Sequence, residues 1–228
     1  MSFAVFFSEP LFRYGLRRMM RALAAALLVL LSPAGHALGA GPDKANDCTE
    51  QDRLRLRGVT ARLENDLIAD TDQNYTNGVA LTLVSHDISG PPRSECLPTP
   101  IRLHARFIKA MNPKFWADTD HVDHNTWNMV ARFGQAMYTP EDHTRSDLIV
   151  DDRPYAGLLY MGMTWNRRSH RPDAGYEVLD TRELTLGIIG PWSLAEHSQN
   201  LVHDVRDMDR FRGWDHQLHN EPAFKLTM

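Results

Sequence analysis

Val59-Thr60-Ala61-Arg62-Leu63-Glu64-Asn65-Asp66 alternates with period two. Val59, Ala61, Leu63 and Asn65 fall on one side, and Thr60, Arg62, Glu64 and Asp66 on the other. Successive side chains of a strand point to opposite faces, so the stretch predicts a strand with one apolar and one strongly polar face. The pattern recurs downstream. Val79, Leu81 and Leu83 alternate in Val79–Ser85, and Trp127, Met129, Ala131 and Phe133 alternate further on. A strand is expected up to Trp165, another over Arg182–Ile189, and a last one from Ala223. Turn chemistry separates them: Asp70 to Gly78, Gly90-Pro91-Pro92, the charged run Glu141 to Asp152, a loop with Arg167, Arg168 and Arg171, and Gly213-Trp214-Asp215. Helical periodicity is confined to Arg102–Met111 and the segment after Pro191. The expectation is an all-β, antiparallel chain of about six strands. Polar faces turned inward, apolar faces outward and aromatics near strand ends (Tyr75, Trp127, Tyr155, Trp165) fit an outer-membrane β-barrel. A soluble sandwich carries the same alternation, but an export signal and charges within strands favour the barrel.

The chain has 228 residues, 43% hydrophobic and 24% charged, which excludes a disordered chain and allows one sizeable domain. Arg17, Arg18 and Arg21 precede the apolar run Ala22–Leu31, and small residues follow through Ala40. That order describes a secretory signal peptide, with Met19 or Met20 as a possible true start. The run is too short for a spanning helix. Residues 1–40 are thus expected to be leader and upstream extension, and 41–228 the barrel domain. The formal net charge of −4 gives no footprint for nucleic acid. The two cysteines, Cys48 and Cys96, would pair or remain free thiols; export permits the disulfide.

Candidate chemistry collects in Gly190–His203, G-P-W-S-L-A-E-H-S-Q-N-L-V-H. Ser193 followed by Glu196 reads as a capping box, predicting a helix from Ser193. Gln199 and His203 are four apart and share a face. An imidazole can take a proton from water, and a glutamine one turn away can fix the ring or hold that water. Other motifs are weaker. Asp70-Thr71-Asp72-Gln73-Asn74 opens like a calcium loop, but Tyr75 stands where an EF-hand has Gly and Leu81 where it has the closing Glu. His121-x-x-His124 and His216-x-x-His219 lie in polar sequence without a supporting zinc motif. No Gly-x-Ser-x-Gly elbow is present, so activated water is a better guess than a serine nucleophile.

Six segments occur in one order: Glu64-Asn65-Asp66-Leu67; Asp72-x-x-Tyr75-Thr76-Asn77-Gly78; Gln135-x-Met137-Tyr138-Thr139-Pro140; Asp152-Arg153-Pro154-Tyr155-Ala156-Gly157; Gly190-Pro191 with Gln199-Asn200-x-x-His203; and Gly213-Trp214-Asp215-x-Gln217-Leu218-x-Asn220-Glu221-Pro222. Together, from about Arg57 onward, they resemble the lipid A 3′-O-deacylases of the Gram-negative outer membrane. The resemblance implies a twelve-stranded antiparallel barrel, monomeric at full length, that removes the 3′-linked acyloxyacyl group from lipid A with calcium. It places the catalytic histidine on His203, its partner on Gln199, the Asn-Asp pair on Asn65 and Asp66, and an acidic residue on Asp209. Thr76 and a basic residue near Arg145 would bind substrate; Arg153, read from its own position, would either meet a lipid A phosphate or make a structural ion pair at the strand start. Asn65 and Asp66 would hold the calcium ion. The resemblance also implies strands beyond Asn220-Glu221-Pro222, so this chain is expected to carry about half of the barrel wall. A non-catalytic outer-membrane barrel, or a degenerate fragment of the enzyme, is the competing expectation.

Overall fold

The computed structural model describes residues 48–49, 53–65, 77–117, 125–171 and 175–228. The expected leader, Asp66, Thr76, Tyr75, the turn Asp70–Asn74 and the pair His121 and His124 lie outside them. The described chain is one antiparallel sheet with two α-helices. Its strands are β1 (Leu56–Asn65), β2 (Asn77–Ser85), β3 (Ile88–Ser89), β4 (Asn125–Tyr138), β5 (Ala156–Arg171), β6 (Tyr176–Ile189) and β7 (Glu221–Thr227). The helices are α1 (Thr99–Met111), between β3 and β4, and α2 (Ala195–Arg206), between β6 and β7. Sheet order is β1-β2-β4-β5-β6-β7, with β3 paired to the start of β4. Every pairing is antiparallel, and among the described residues the sheet does not close on itself.

Register turns the sequence alternation into two continuous faces. Ala61, Leu81, Phe133, Met161, Leu186 and Phe224 are opposite one another from β1 to β7. One row away run Val59, Leu83, Ala131, Met163, Leu184 and Leu226. Much of this apolar face is open: Val59, Leu63, Val79, Met161, Leu186 and Phe224 are all exposed. The opposite face carries Thr60, Thr82, Arg132, Thr185 and Lys225 in one row. Asn166 there donates to Asn128 Oδ1 at 3.0 Å and accepts from Thr181 at 2.9 Å. An exposed apolar face backed by a hydrogen-bonded polar one is the division expected of barrel wall, lipid outside and water within.

The charged stretch around Arg167, expected to be a loop, is a continuation of the hairpin. β5 runs on to Arg171 and β6 starts at Tyr176. Arg167 and Asp180 are cross-strand partners with an ion pair of 3.2 Å, and Arg182 also pairs with Asp180. Opposite charges facing each other across a pair stabilise a sheet without any apolar alternation, which is why the hydrophobic pattern gave no strand there. The aromatic residues expected at the lipid boundary also depart from expectation. Trp127, Tyr155 and Trp165 are buried, because α1 covers the two tryptophans and the segment around Trp214 covers Tyr155.

Two clusters sit on the apolar face at opposite ends of β4 and β5. One joins Leu97, Ala105, Ile108, Phe115 and Trp116 to Trp127, Met129 and Trp165. The other joins Met137 and Tyr155 to Ala195 and Trp214. Cys48 and Cys96 form a disulfide, which ties the entry to β1 to the turn before α1. Closing that long a loop is worth about 4 kcal/mol by the chain-entropy rule.

Candidate active site

Three glycines permit the site to assemble. Gly157, at the start of β5, faces Ser193, and a Cβ there would lie 2.0 Å from Ser193 Oγ. Gly190 ends β6 with φ 90°, and a Cβ would meet the carbonyl of His219 at 2.5 Å. Gly213 lies flat against the Tyr155 ring, where a Cβ would come within 2.3 Å. These contacts account for the glycines of three of the quoted motifs in steric terms.

The expected capping box does not form. Pro191–Ser193 is a 3-10 turn, and α2 begins two residues later, at Ala195. Leu194 precedes it in the left-handed region, with φ 61°. Ser193 is fully buried, and its Oγ has no partner among the described residues, so it caps nothing. Close packing against Gly157 holds it there. Gln135 of β4 fixes this turn from below, donating through Nε2 to Ser193 O at 2.6 Å.

α2 buries Ala195, Gln199 and His203 against the sheet and exposes Leu201, Val202 and Val205. The imidazole of His203 is 3% exposed. Its Nδ1 lies 2.5 Å from the main-chain carbonyl of Asp209. A carbonyl only accepts, so Nδ1 carries the proton and Nε2 presents the lone pair. Phe211 meets the ring edge-on, with centroids 4.9 Å apart. Gln199 does not orient the imidazole. Its Oε1 accepts from Trp214 Nε1 at 2.7 Å, leaving its amide N–H groups as donors. Asp209 reaches His203 through its backbone; its side chain is exposed.

The motif Gly213-Trp214-Asp215-x-Gln217-Leu218-x-Asn220 folds as a clasp around this helix. Gln217 donates to Trp214 O at 3.1 Å, Leu218 N donates to Tyr155 O at 2.9 Å, and Asn220 Oδ1 accepts from Trp192 N at 2.8 Å. Tyr155 and Trp214 pack with centroids 4.9 Å apart.

The loop 139–155 closes another side. His143 stacks on Phe211 at 4.1 Å, and Arg212 N donates to His143 O at 3.2 Å. Arg145 is exposed and ion-paired with Asp147, whose carboxyl it holds down at about 2. Arg153 is half-buried at the loop's end. Asp152 accepts from the backbone N–H of Glu141 and of Arg153, each at 2.6 Å, which lowers its carboxyl below the usual range.

Asn65 ends β1 in register with Asn77, which pairs with Met137, which pairs with Gly157. At about 4.8 Å per strand, the Asn65 backbone lies roughly 10 Å from that of Met137, at the same end of the sheet as α2. Asp66 and Thr76 fall outside the described residues. No group of three or more His, Cys, Asp or Glu side chains gathers among the described residues. His216 and His219 are exposed.

Sequence reasoning missed His143 and Phe211, whose contact joins two loops far apart in the chain and leaves no local pattern. Gln135 and Trp214 stood in quoted motifs without an assigned role.

No curated protein and no solved structure matches this chain. A family model described as outer membrane protein LpxR matches residues 23–228, nearly the whole chain. That family is one of lipid A deacylases of the outer membrane. The chain belongs to the outer membrane protein LpxR family.

Proposed function

We propose that the protein hydrolyses the 3′-linked acyloxyacyl ester of lipid A at the outer-membrane surface, as part of a twelve-stranded barrel exported by the leader in residues 1–40. The observation that carries the reading is the buried His203 with Nδ1–H committed to Asp209 O and Nε2 left as an acceptor. A neutral imidazole in that tautomer takes a proton from water as the water attacks the ester carbon. The same imidazolium then gives the proton to the leaving 3′-oxygen. Gln199, held by Trp214, offers its amide N–H groups to the water or the oxyanion. Arg145 and Arg153 suit the lipid A phosphates, since guanidinium forks match phosphate geometry; Thr76 would contact the substrate.

Calcium held by Asn65 and Asp66 would supply Lewis-acid polarisation of the ester carbonyl. The support for it is the family resemblance and the register that brings Asn65 to the active-site end of the sheet.

The test is mass spectrometry of lipid A from cells expressing the full-length protein. Loss of the 3′ acyloxyacyl group, abolished by a calcium chelator and restored by calcium, is the expected result. Unchanged lipid A would favour a non-catalytic barrel.

A further inference from the structure

α1 lies on the apolar face of the sheet, at the end opposite the candidate active site. Trp127, beneath α1, and Met137, beneath α2, are ten residues apart on β4. At about 3.3 Å per residue that is about 33 Å of strand. For a strand tilted by about 40°, it spans about 25 Å along the membrane normal, the height of the apolar band of an outer-membrane barrel. The two helices are therefore one membrane apart.

The surface of α1 has three sectors at 3.6 residues per turn. His104, Ala105 and Ile108 are buried against the sheet. Leu103, Phe107 and Met111, four residues apart, form an exposed apolar stripe. Arg102, Arg106 and Lys109 line the flank beyond it, and exposed Lys114 follows the helix. No acidic residue occurs between Thr99 and Ala117. The apolar stripe shares a side of the sheet with exposed Val59, Met161 and Leu186. An apolar stripe flanked by cations and continuous with a lipid-facing wall is the surface of a helix lying in a membrane interface.

We propose that α1 docks on the anionic glycerophospholipids of the periplasmic leaflet, with Leu103, Phe107 and Met111 among the acyl chains and Arg106 and Lys109 at the phosphates. The leaflet assignment rests on the reading that the active-site end faces lipid A.

Single cysteines at Leu103, Phe107, Met111 and Lys109, and at exposed Val150 in the loop 139–155, would carry a nitroxide in the full-length protein refolded in phosphatidylcholine vesicles containing phosphatidylglycerol. Power saturation should show the three apolar positions open to oxygen and closed to a water-soluble nickel complex. Lys109 and Val150 should be open to nickel. Selectivity of the protein for spin-labelled phosphatidylglycerol over phosphatidylcholine should fall in Arg106→Gln with Lys109→Gln, by up to about fivefold per cation near an anionic surface. Heat-modifiable gel migration checks that each variant folds. Nickel access at Phe107→Cys equal to that at Val150→Cys overturns the proposal, as does shielding of Phe107→Cys from both reagents, which would mean a protein cover. Unchanged lipid selectivity in the folded double variant also overturns it. None of these readouts needs deacylation, so a lipid-buried α1 in an inactive protein would sink the proposed function and leave the docking intact.

Discussion

His203 and Gln199 are both buried and four residues apart, yet they do different things. The imidazole is held by a backbone carbonyl, and the glutamine by an indole. Gln199→Ala should therefore act first on stability. It strands the buried Trp214 N–H, at a cost of about 1–3 kcal/mol. Denaturant midpoints should fall for Gln199→Ala and much less for Gln199→Glu, which keeps the acceptor. His143 supplies a sharper contrast. It touches Phe211 only by its ring face. His143→Ala should slow turnover by about 2–10-fold, the value of an aromatic stack of about 0.5–1.5 kcal/mol. His143→Phe should retain the parent rate, and if it is as slow as alanine, the residue has a chemical role that stacking does not explain.

The strands were legible in sequence wherever one face was apolar, as in Val59–Leu63 and Trp127–Phe133. They were not legible in the hairpin end around Arg167 and Asp180, where paired charges replace the apolar rows. The start of α2 was misjudged because a Ser-x-x-Glu spacing carries no information about burial, and Ser193 is buried against Gly157. That contact makes Gly157→Ala a severe change: the turn must move, and folded yield or activity should drop strongly. Gly58→Ala has open space around it and should be silent. In α1, burial holds His104 down at about 4, below its ordinary 6.5, and its ring nitrogens meet no partner among the described residues. The folded state thus favours the neutral ring. The stability this carries is fully present above pH 6.5 and is lost as pH falls through about 4. Proteolysis within residues 99–117 should rise over that window in the parent, and His104→Leu should flatten the rise.

The molecule as a whole places two covered patches at the two ends of an otherwise open apolar face. One patch is bound up with His203, its backbone partner and a clasp of aromatic residues; the other carries cations over an apolar stripe. Family membership and the candidate active-site end were readable from ordered motifs, because those motifs include the glycines, carbonyl partners and indole that hold α2 in place. The far end was not, because α1 declares itself only once the sheet shows which of its faces is buried. The account depends most on His203 as the base. His203→Asn preserves a buried polar group that can still meet Asp209 O but cannot take a proton from water. Lipid A from cells expressing the full-length parent and this variant, compared by mass spectrometry with matched amounts of folded protein, measures this directly. The account predicts that the variant leaves the 3′ acyloxyacyl group in place, its rate reduced by at least about 10²–10⁴-fold. Release of that group at the parent rate would contradict it and leave α2 as scaffold.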